Sequence, residues 1–129
     1  MMLRMMMAAV VLCAAAVPAI AADPAAGEKA FAVCKACHRV GAGAKNTVGP
    51  TLNGVVGRKA GSVEAFNYSE AMKNSGLTWD EATLSAYLKD PKGKVPGNKM
   101  AFAGVKDDAK VADIIAYLKQ FAADGTKTQ

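Results

Sequence analysis

The sequence predicts an all-α fold in which short helices are joined by long loops. Apolar residues recur at helical spacing in segments that begin with helix-capping residues. The stretch from residue 41 to residue 67 is rich in glycine and polar residues, and it shows no strand-like alternation. Because a loop of that length is unusual in a small domain, it needs something to wrap around. The chain of 129 residues has room for one such domain.

Residues 1–22 are predicted to be a secretory signal peptide. Arg4 supplies a positive start, and Met5–Val17 is an unbroken apolar run. The small residues that follow suit a signal peptidase, with cleavage after Ala21 or Ala22. An uncleaved membrane anchor is the alternative, but the apolar run is short for a membrane span.

Residues 23–129 are expected to form the single domain, and its first helix opens with Asp23 as N-cap and Pro24 at the first helical position. This helix is expected to run towards Cys37 and to end at the glycine-containing segment 41–43.

Three further helices are expected in the second half of the chain. The first is short, from Ser69 to Asn74. Thr78 as N-cap and Glu81 three residues later form a capping box that opens the next helix, which ends before Pro91. A loop follows, and the last helix is expected from about residue 107 to residue 123.

The motif Cys34-Lys35-Ala36-Cys37-His38 carries the chemistry of this chain. Cys-x-x-Cys-His is the signature of covalent c-type haem attachment. Since residues three and four apart share one helical face, both thiols and the imidazole can meet one flat ring. The chain has a single histidine, and Cys34 and Cys37 are its only cysteines after the leader. We therefore predict one haem per chain, tethered by the two cysteines and ligated by His38.

Other interpretations of the motif fit less well. A zinc site needs about four ligands, and a thioredoxin-type pair expects a strand–helix–strand setting that the pattern lacks. An exported binding module with a disulfide between the two cysteines remains the alternative without haem.

The second axial ligand of the iron cannot be histidine, which leaves methionine, lysine, an external ligand or none. Only Met72 and Met100 follow the leader. Met100 is favoured because it lies in a flexible loop, whereas Met72 lies in a helical pattern where methionine usually packs. A thioether opposite imidazole raises the reduction potential and closes the site. An open site with peroxidase-like or gas-binding chemistry is the alternative, and Lys99 is a hypothetical replacement ligand at alkaline pH.

The charge balance favours acidic partners. The formal net charge of +5 falls to +4 when the leader is removed with Arg4. Because the lysines are scattered and the protein is expected to be exported, nucleic acid is not an expected partner.

The mature sequence resembles the class I cytochromes c, the group of mitochondrial cytochrome c and the bacterial periplasmic cytochrome c2 type. Their motifs occur here in the same order: the haem motif, Gly49-Pro50-Thr51-Leu52, Gly57-Arg58-Lys59-Ala60-Gly61, Phe66-Asn67-Tyr68, Trp79, Tyr87-Leu88 and the loop of Met100. The resemblance implies a cytochrome c fold wrapped around one covalent haem. It also implies a monomeric periplasmic protein that is not an enzyme. This protein would carry single electrons from a quinol-oxidising membrane complex to a terminal oxidase or a photosynthetic reaction centre.

The resemblance also implies roles for residues around the haem. Pro50 would accept a hydrogen bond from the outer nitrogen of His38. Partners of the haem propionates would be Arg58, Tyr68 and Trp79. The methionine side would be lined by Asn74 and Tyr87, with only weak polar roles for Thr51 and Asn98. Where the first and last helices cross, the packing residues would be Gly27, Phe31, Ile114 and Tyr117.

Lysines near the haem-bearing segments are expected to steer an acidic redox partner in brief contacts with membrane proteins. These lysines are Lys35, Lys92, Lys94, Lys99 and Lys106. The alternative is an ordinary solvated surface, which is the usual place for lysine.

Overall fold

The computed structural model describes residues 21–128, and within them the chain forms helices and loops without a strand. The predicted leader therefore lies almost wholly outside the described residues. The helices are α1 (Pro24–Ala30), a 3-10 helix (Phe31–Cys34), α2 (Glu70–Lys73), α3 (Glu81–Lys89), α4 (Pro91–Lys94) and α5 (Asp108–Leu118). Extended pairing is limited to two isolated bridges, Lys59 with Thr78 and Phe121 with Lys127. The all-α prediction is confirmed. No helix in the described part is long and apolar enough to cross a membrane.

The start of α1 is as predicted, whereas its end is not. The Asp23 carboxylate accepts a hydrogen bond from the Ala25 N–H at 2.9 Å, and Pro24 occupies the first helical position. The α-helix ends at Ala30 and tightens into a 3-10 turn that stops at Cys34. The helical segment therefore ends well before residues 41–43, and the haem motif lies on a tight turn rather than within a regular helix.

The predicted capping box of α3 is wrong. The Thr78 backbone is in extended pairing with Lys59, so it is not available to begin a helix. Asp80 is the N-cap instead, and its carboxylate accepts from the Thr83 N–H at 2.7 Å. This hydrogen bond lowers the pKa of the Asp80 carboxyl. Glu81 is the first residue of the helix rather than its third.

The sequence predicts a loop after Pro91, but the structure has the short helix α4 there. Pro91 ends α3 as predicted and then opens the next helical turn, because proline is well suited to a first helical position. Asp90 serves both elements: it is the C-cap of α3, and its side chain accepts from the Gly93 N–H at 3.0 Å. The segment from residue 90 to residue 95 is therefore ordered, and it supports the loop that follows.

Helix α5 crosses α1 through a contact that only glycine permits. A β-carbon on Gly27 would overlap the backbone carbonyl of Asp113 and lie 2.9 Å from the Tyr117 β-carbon. Beside this point the rings of Phe31 and Tyr117 are 5.4 Å apart. Phe31 and Ile114 are both 1% exposed, at the centre of the same core. The expected packing of the two helices is therefore present, although α5 stops at Leu118 rather than near residue 123.

Candidate functional site

The two cysteines and the histidine lie on one backbone turn. The Cys37 and His38 N–H groups both donate to the Cys34 carbonyl, at 3.1 and 2.9 Å. Cys34 and Cys37 are free thiols, and both are partly exposed. The structure therefore gives no support to a disulfide between them.

The Cys34 thiol is held in its neutral form. Burial raises its pKa to about 11, and the neighbouring Cys37 adds to the shift. Catalytic and metal-binding cysteines need the opposite shift, because the thiolate is the reactive and ligating species. Within residues 21–128 no group of three or more His, Cys, Asp or Glu side chains is placed to hold a metal ion. A neutral Cys34 thiol is therefore poorly suited to ligate zinc or to act as the nucleophile of a redox pair.

The His38 imidazole is oriented by the backbone that follows it in the chain. Its Nδ1 donates to the Pro50 carbonyl oxygen at 2.8 Å, which is the contact that the resemblance implied. Burial lowers the pKa of the imidazole, the Arg58 charge adds to that shift, and the hydrogen bond to Pro50 opposes it. Because Nδ1 carries the proton, Nε2 is left as the basic nitrogen. A neutral imidazole held in this way is suited to ligate a metal.

Residues 47–50 are hydrogen-bonded to the turn that carries the two cysteines. The Gly49 N–H donates to the Cys37 carbonyl at 2.8 Å, and the Thr47 hydroxyl donates to the same oxygen at 2.6 Å. The attachment turn is therefore joined to the glycine-rich loop, which explains why this irregular segment has a fixed path.

Met100 lies partly buried against the core, and its sulfur has a polar neighbour. The Tyr87 hydroxyl donates to Met100 Sδ over 3.9 Å. Burial raises the pKa of Tyr87 to about 12, so the phenol keeps its proton and remains a donor. Met72 also packs against the core, from α2. The thioether of Met100 is suited to iron because it is a soft ligand with a second lone pair.

Arg58 provides the test of whether a haem fits here. Its Nη1 donates to the carbonyls of Thr51 and Asn53 at 3.1 and 2.9 Å, whereas its Nε is buried without a hydrogen-bond partner. An unpaired buried donor on a cation is costly unless a bound anion meets it. A haem propionate is such an anion. Together with two free thiols, a basic imidazole nitrogen and a thioether, the residues present fit a haem.

The other two residues expected near the propionates are placed differently. The Tyr68 hydroxyl accepts from the Val63 N–H at 3.1 Å, which leaves its proton free for a further acceptor. Trp79 is 5% exposed, and its ring lies 4.8 Å from that of Tyr87. Trp79 therefore belongs to the core as well as to the predicted site.

Asn74 is not joined to the methionine side. It is exposed at the C-terminal end of α2, and no side-chain hydrogen bond links it to Met100 or Tyr87 within the described residues. Its expected role in tuning the haem stays a prediction.

All five lysines expected to dock a partner are exposed, but two of them also bind backbone carbonyls. Lys92 Nζ donates to the Asn98 carbonyl at 2.6 Å, and Lys106 Nζ donates to the Lys89 carbonyl at 2.5 Å. These two ammonium groups therefore hold loops in place as well as adding charge to the surface.

Asn98 has a larger structural role than the weak polar role expected from the sequence. It is 5% exposed, and its side chain donates to the Pro91 and Val95 carbonyls and accepts from the Met100 N–H, so it joins α4 to the Met100 loop. Its place in a Pro-Gly-Asn turn, two residues before the predicted ligand, was the available signal.

Comparison with known proteins gives consistent matches along the chain. The family model described as cytochrome c matches residues 24–122. Cytochrome c2 of Blastochloris viridis is 58% identical over 117 residues, which cover 91% of this chain and 92% of that protein. Cytochrome c2 of Rhodoblastus acidophilus is 60% identical over 107 residues, covering 83% of this chain and 100% of that protein.

Solved structures agree with these sequence matches. Cytochrome cH from Methylobacterium extorquens has a TM-score of 0.71 at 62% identity, and the match covers 75% of this chain and 97% of that one. Cytochrome c2 from Rhodospirillum centenum has a TM-score of 0.74 at 41% identity, covering 78% of this chain and 98% of that one.

Proposed function

Because the chain belongs to the cytochrome c family, within the bacterial cytochrome c2 type, we propose that it carries single electrons between membrane redox complexes in the periplasm. It is an electron-transfer protein rather than an enzyme, and its cofactor is a covalently bound haem c. When bound, that group supplies an iron that cycles between the ferrous and ferric states. The proposed donor is a quinol-oxidising complex, and the proposed acceptor is a terminal oxidase or a photosynthetic reaction centre.

We propose that Cys34 and Cys37 tether the haem and that His38 and Met100 are its axial ligands. The observation that carries this proposal is that each of the two ligand side chains has one hydrogen-bonding neighbour. Pro50 fixes the imidazole with Nε2 free, and Tyr87 holds the sulfur of Met100 at 3.9 Å. Each side chain is thus held by one neighbour and keeps one lone pair for iron.

The residues around the ligands would then donate hydrogen bonds to the negatively charged propionates of the haem. Arg58 brings an unpaired buried donor to a propionate, Tyr68 has a free hydroxyl proton, and Trp79 adds a buried ring. A buried carboxylate needs such donors, since burial without them is costly.

The ligand assignment is tested by absorption spectra of oxidised and reduced Met100→Ala, with Met72→Ala as the matched control. We expect only Met100→Ala to lose the strong-field spectrum and to bind carbon monoxide readily when reduced. Loss of that spectrum in Met72→Ala, with Met100→Ala unchanged, would overturn the assignment. Ready binding of carbon monoxide by the wild-type protein would instead favour gas-binding or peroxidase-like chemistry.

Covalent attachment has its own test. After denaturation in acid and extraction with organic solvent, the pigment of the wild-type protein should stay with the polypeptide. Pigment that enters the solvent would contradict the roles of Cys34 and Cys37.

We propose that the exposed lysines steer an acidic partner to a monomeric carrier. Charge attraction of this kind speeds the encounter and weakens with salt. Replacing Lys94 and Lys99 with glutamine should flatten the salt dependence of electron transfer. The same charge change at Lys29 and Lys127, which lie on other segments, is the control, and equal effects of both pairs would contradict a localised docking surface.

Export of the mature protein is proposed from the predicted leader. Mass spectrometry of the periplasmic protein should give a chain that begins at Ala22 or Asp23. A mature protein that retains the apolar run would contradict this prediction.

A further inference from the structure

Asn98 joins α4 to the loop that carries Met100. Its side chain is almost fully buried, at 5% exposed. The amide Nδ2 donates to the Pro91 carbonyl at 2.8 Å and to the Val95 carbonyl at 2.9 Å. Because both partners are acceptors, the amide can have only this orientation. Both of its donor protons are therefore committed to the ends of α4.

The acceptor of the same amide holds Met100. Asn98 Oδ1 accepts from the Met100 N–H at 2.9 Å. One short side chain thus connects the helix to the backbone of the proposed ligand through three hydrogen bonds. Replacement by a residue without the amide would leave two carbonyls and one N–H without these partners.

Lys92 reaches Asn98 from the first turn of α4. Its Nζ donates to the Asn98 carbonyl at 2.6 Å and lies 3.5 Å from Oδ1. The ammonium group therefore adds a second connection between α4 and the same residue. Lys94 is exposed on the same short helix, and no hydrogen bond joins it to Asn98 within the described residues.

Besides Asn98 and Lys92, the loop around Met100 is held by the packing of Met100 against the core, by the Tyr87 hydroxyl, and by Lys106 Nζ, which donates to the Ala103 carbonyl at 3.3 Å. Lys99, Ala101 and Ala103 are exposed, so the loop buries few side chains of its own. Gly97 and Gly104 lie at φ +88° and +114°, a backbone conformation that glycine adopts without steric cost. Because the loop buries few side chains of its own, its position depends on these polar connections as well as on the packing of Met100.

We propose that Asn98 and Lys92 form a clasp that positions Met100 and sets how often an external ligand can reach the iron. This inference rests on the proposed function, since it takes Met100 to be the axial ligand. The pair acts through the loop and does not touch the iron itself. Asn98 supplies the larger part, because its hydrogen bonds are buried, and Lys92 supplies a smaller part at the surface.

The test is the rate at which carbon monoxide binds the reduced holoprotein, together with the free energy of unfolding in denaturant. Loss of a buried hydrogen-bonded group should raise the open population of the loop, so Asn98→Ala should bind carbon monoxide about 10- to 100-fold faster than wild type. Lys92→Met should accelerate binding by a smaller factor, and Lys92→Arg should restore most of the wild-type rate. Lys94→Met makes the same charge change on the same helix and should leave the rate unchanged.

The outcomes separate the clasp from the ligand assignment. If Met100→Ala binds carbon monoxide at the wild-type rate, the proposed ligand is wrong, whatever Asn98 does. If Met100→Ala binds it readily but Asn98→Ala and Lys92→Met behave as wild type, the clasp alone is refuted. Equal acceleration by Lys92→Met and Lys94→Met would also refute it, because the effect would then be one of charge. Should Asn98→Ala fail to fold, the lysine variants decide the question, since their side chains are exposed.

Discussion

Gly49 packs against the imidazole of His38 so closely that no side chain fits between them. A β-carbon built on Gly49 would lie 2.5 Å from His38 Cε1, 2.7 Å from Nδ1 and 2.9 Å from Nε2. The Gly49 backbone cannot easily retreat, because its N–H donates to the Cys37 carbonyl at 2.8 Å. The ring is therefore fixed by a hydrogen bond to Pro50 at its edge and by a glycine against the ring atoms.

Replacing Gly49 with alanine should displace the His38 ring. We expect a loss of about 1–3 kcal/mol in the free energy of unfolding, because the added methyl overpacks a closed contact. Denaturant unfolding of the holoprotein measures this loss. Val48→Ala, a change at the 76% exposed neighbouring side chain, should stay within about 0.5 kcal/mol of wild type. A Gly49→Ala protein as stable as Val48→Ala would show that the ring has room to move.

Gly27 also lies where no side chain fits, at the crossing of α1 and α5. An alanine there would place its methyl against the Asp113 carbonyl and 2.9 Å from the Tyr117 β-carbon, so the two helices must separate. We expect Gly27→Ala to destabilise by about 1–3 kcal/mol or more, despite the better helix propensity of alanine. Thermal unfolding measures this effect, and Glu28→Ala at the exposed next position is the control. A higher melting temperature for Gly27→Ala would contradict the observed helix contact.

Local signals in the sequence predicted the elements that depend only on local chemistry. Asp23 and Pro24 indicate the start of α1 because capping and proline geometry act within a single turn. Thr78 has the local pattern of a cap, but Lys59, which is distant in sequence, pairs with its backbone in an extended bridge. The sequence pattern does not indicate α4, because four residues are too few to show an apolar period.

The site also has one part that the local sequence predicts and another that depends on tertiary structure. The Cys-x-x-Cys-His motif is continuous in the chain, so its chemistry could be inferred directly. The Pro-Gly-Asn turn indicates a polar turn residue at Asn98, but not its three hydrogen bonds, because these depend on how α4 and the Met100 loop meet in three dimensions. Polar residues that organise a loop acquire that role from tertiary structure, whereas their composition alone suggests only a turn.

Ala65 is the one residue other than glycine with a positive φ in residues 21–128, at +59°. A side chain costs about 1–2 kcal/mol in this conformation, whereas glycine adopts it freely. Ala65→Gly should therefore stabilise the protein by roughly 0.5–1 kcal/mol after the greater flexibility of the unfolded chain is included. Ala86→Gly, at an exposed helical position, should instead destabilise by about 1 kcal/mol. Denaturant unfolding should thus give opposite signs for the two variants, and loss of stability in both would contradict strain at Ala65.

The buried hydroxyl of Tyr87 should make stability fall at alkaline pH. Burial raises the pKa of Tyr87 from 10.0 to about 12, so the unfolded chain loses this proton before the folded protein does. The stabilising contribution of the neutral phenol is complete below pH 10 and is lost as the pH rises towards 12.

Tyr87→Phe cannot ionise, so it should not show this fall. Between pH 9 and pH 11 the wild-type free energy of unfolding should decline by about 1 kcal/mol more than that of Tyr87→Phe. The lost contact to Met100 Sδ lowers the stability of the variant by a similar amount at both pH values, so it does not affect the difference. Both proteins are best measured in a Lys99→Ala background, which removes the amine expected to compete for iron. Parallel stability curves for the two proteins over this range would contradict the assignment of the alkaline loss to Tyr87.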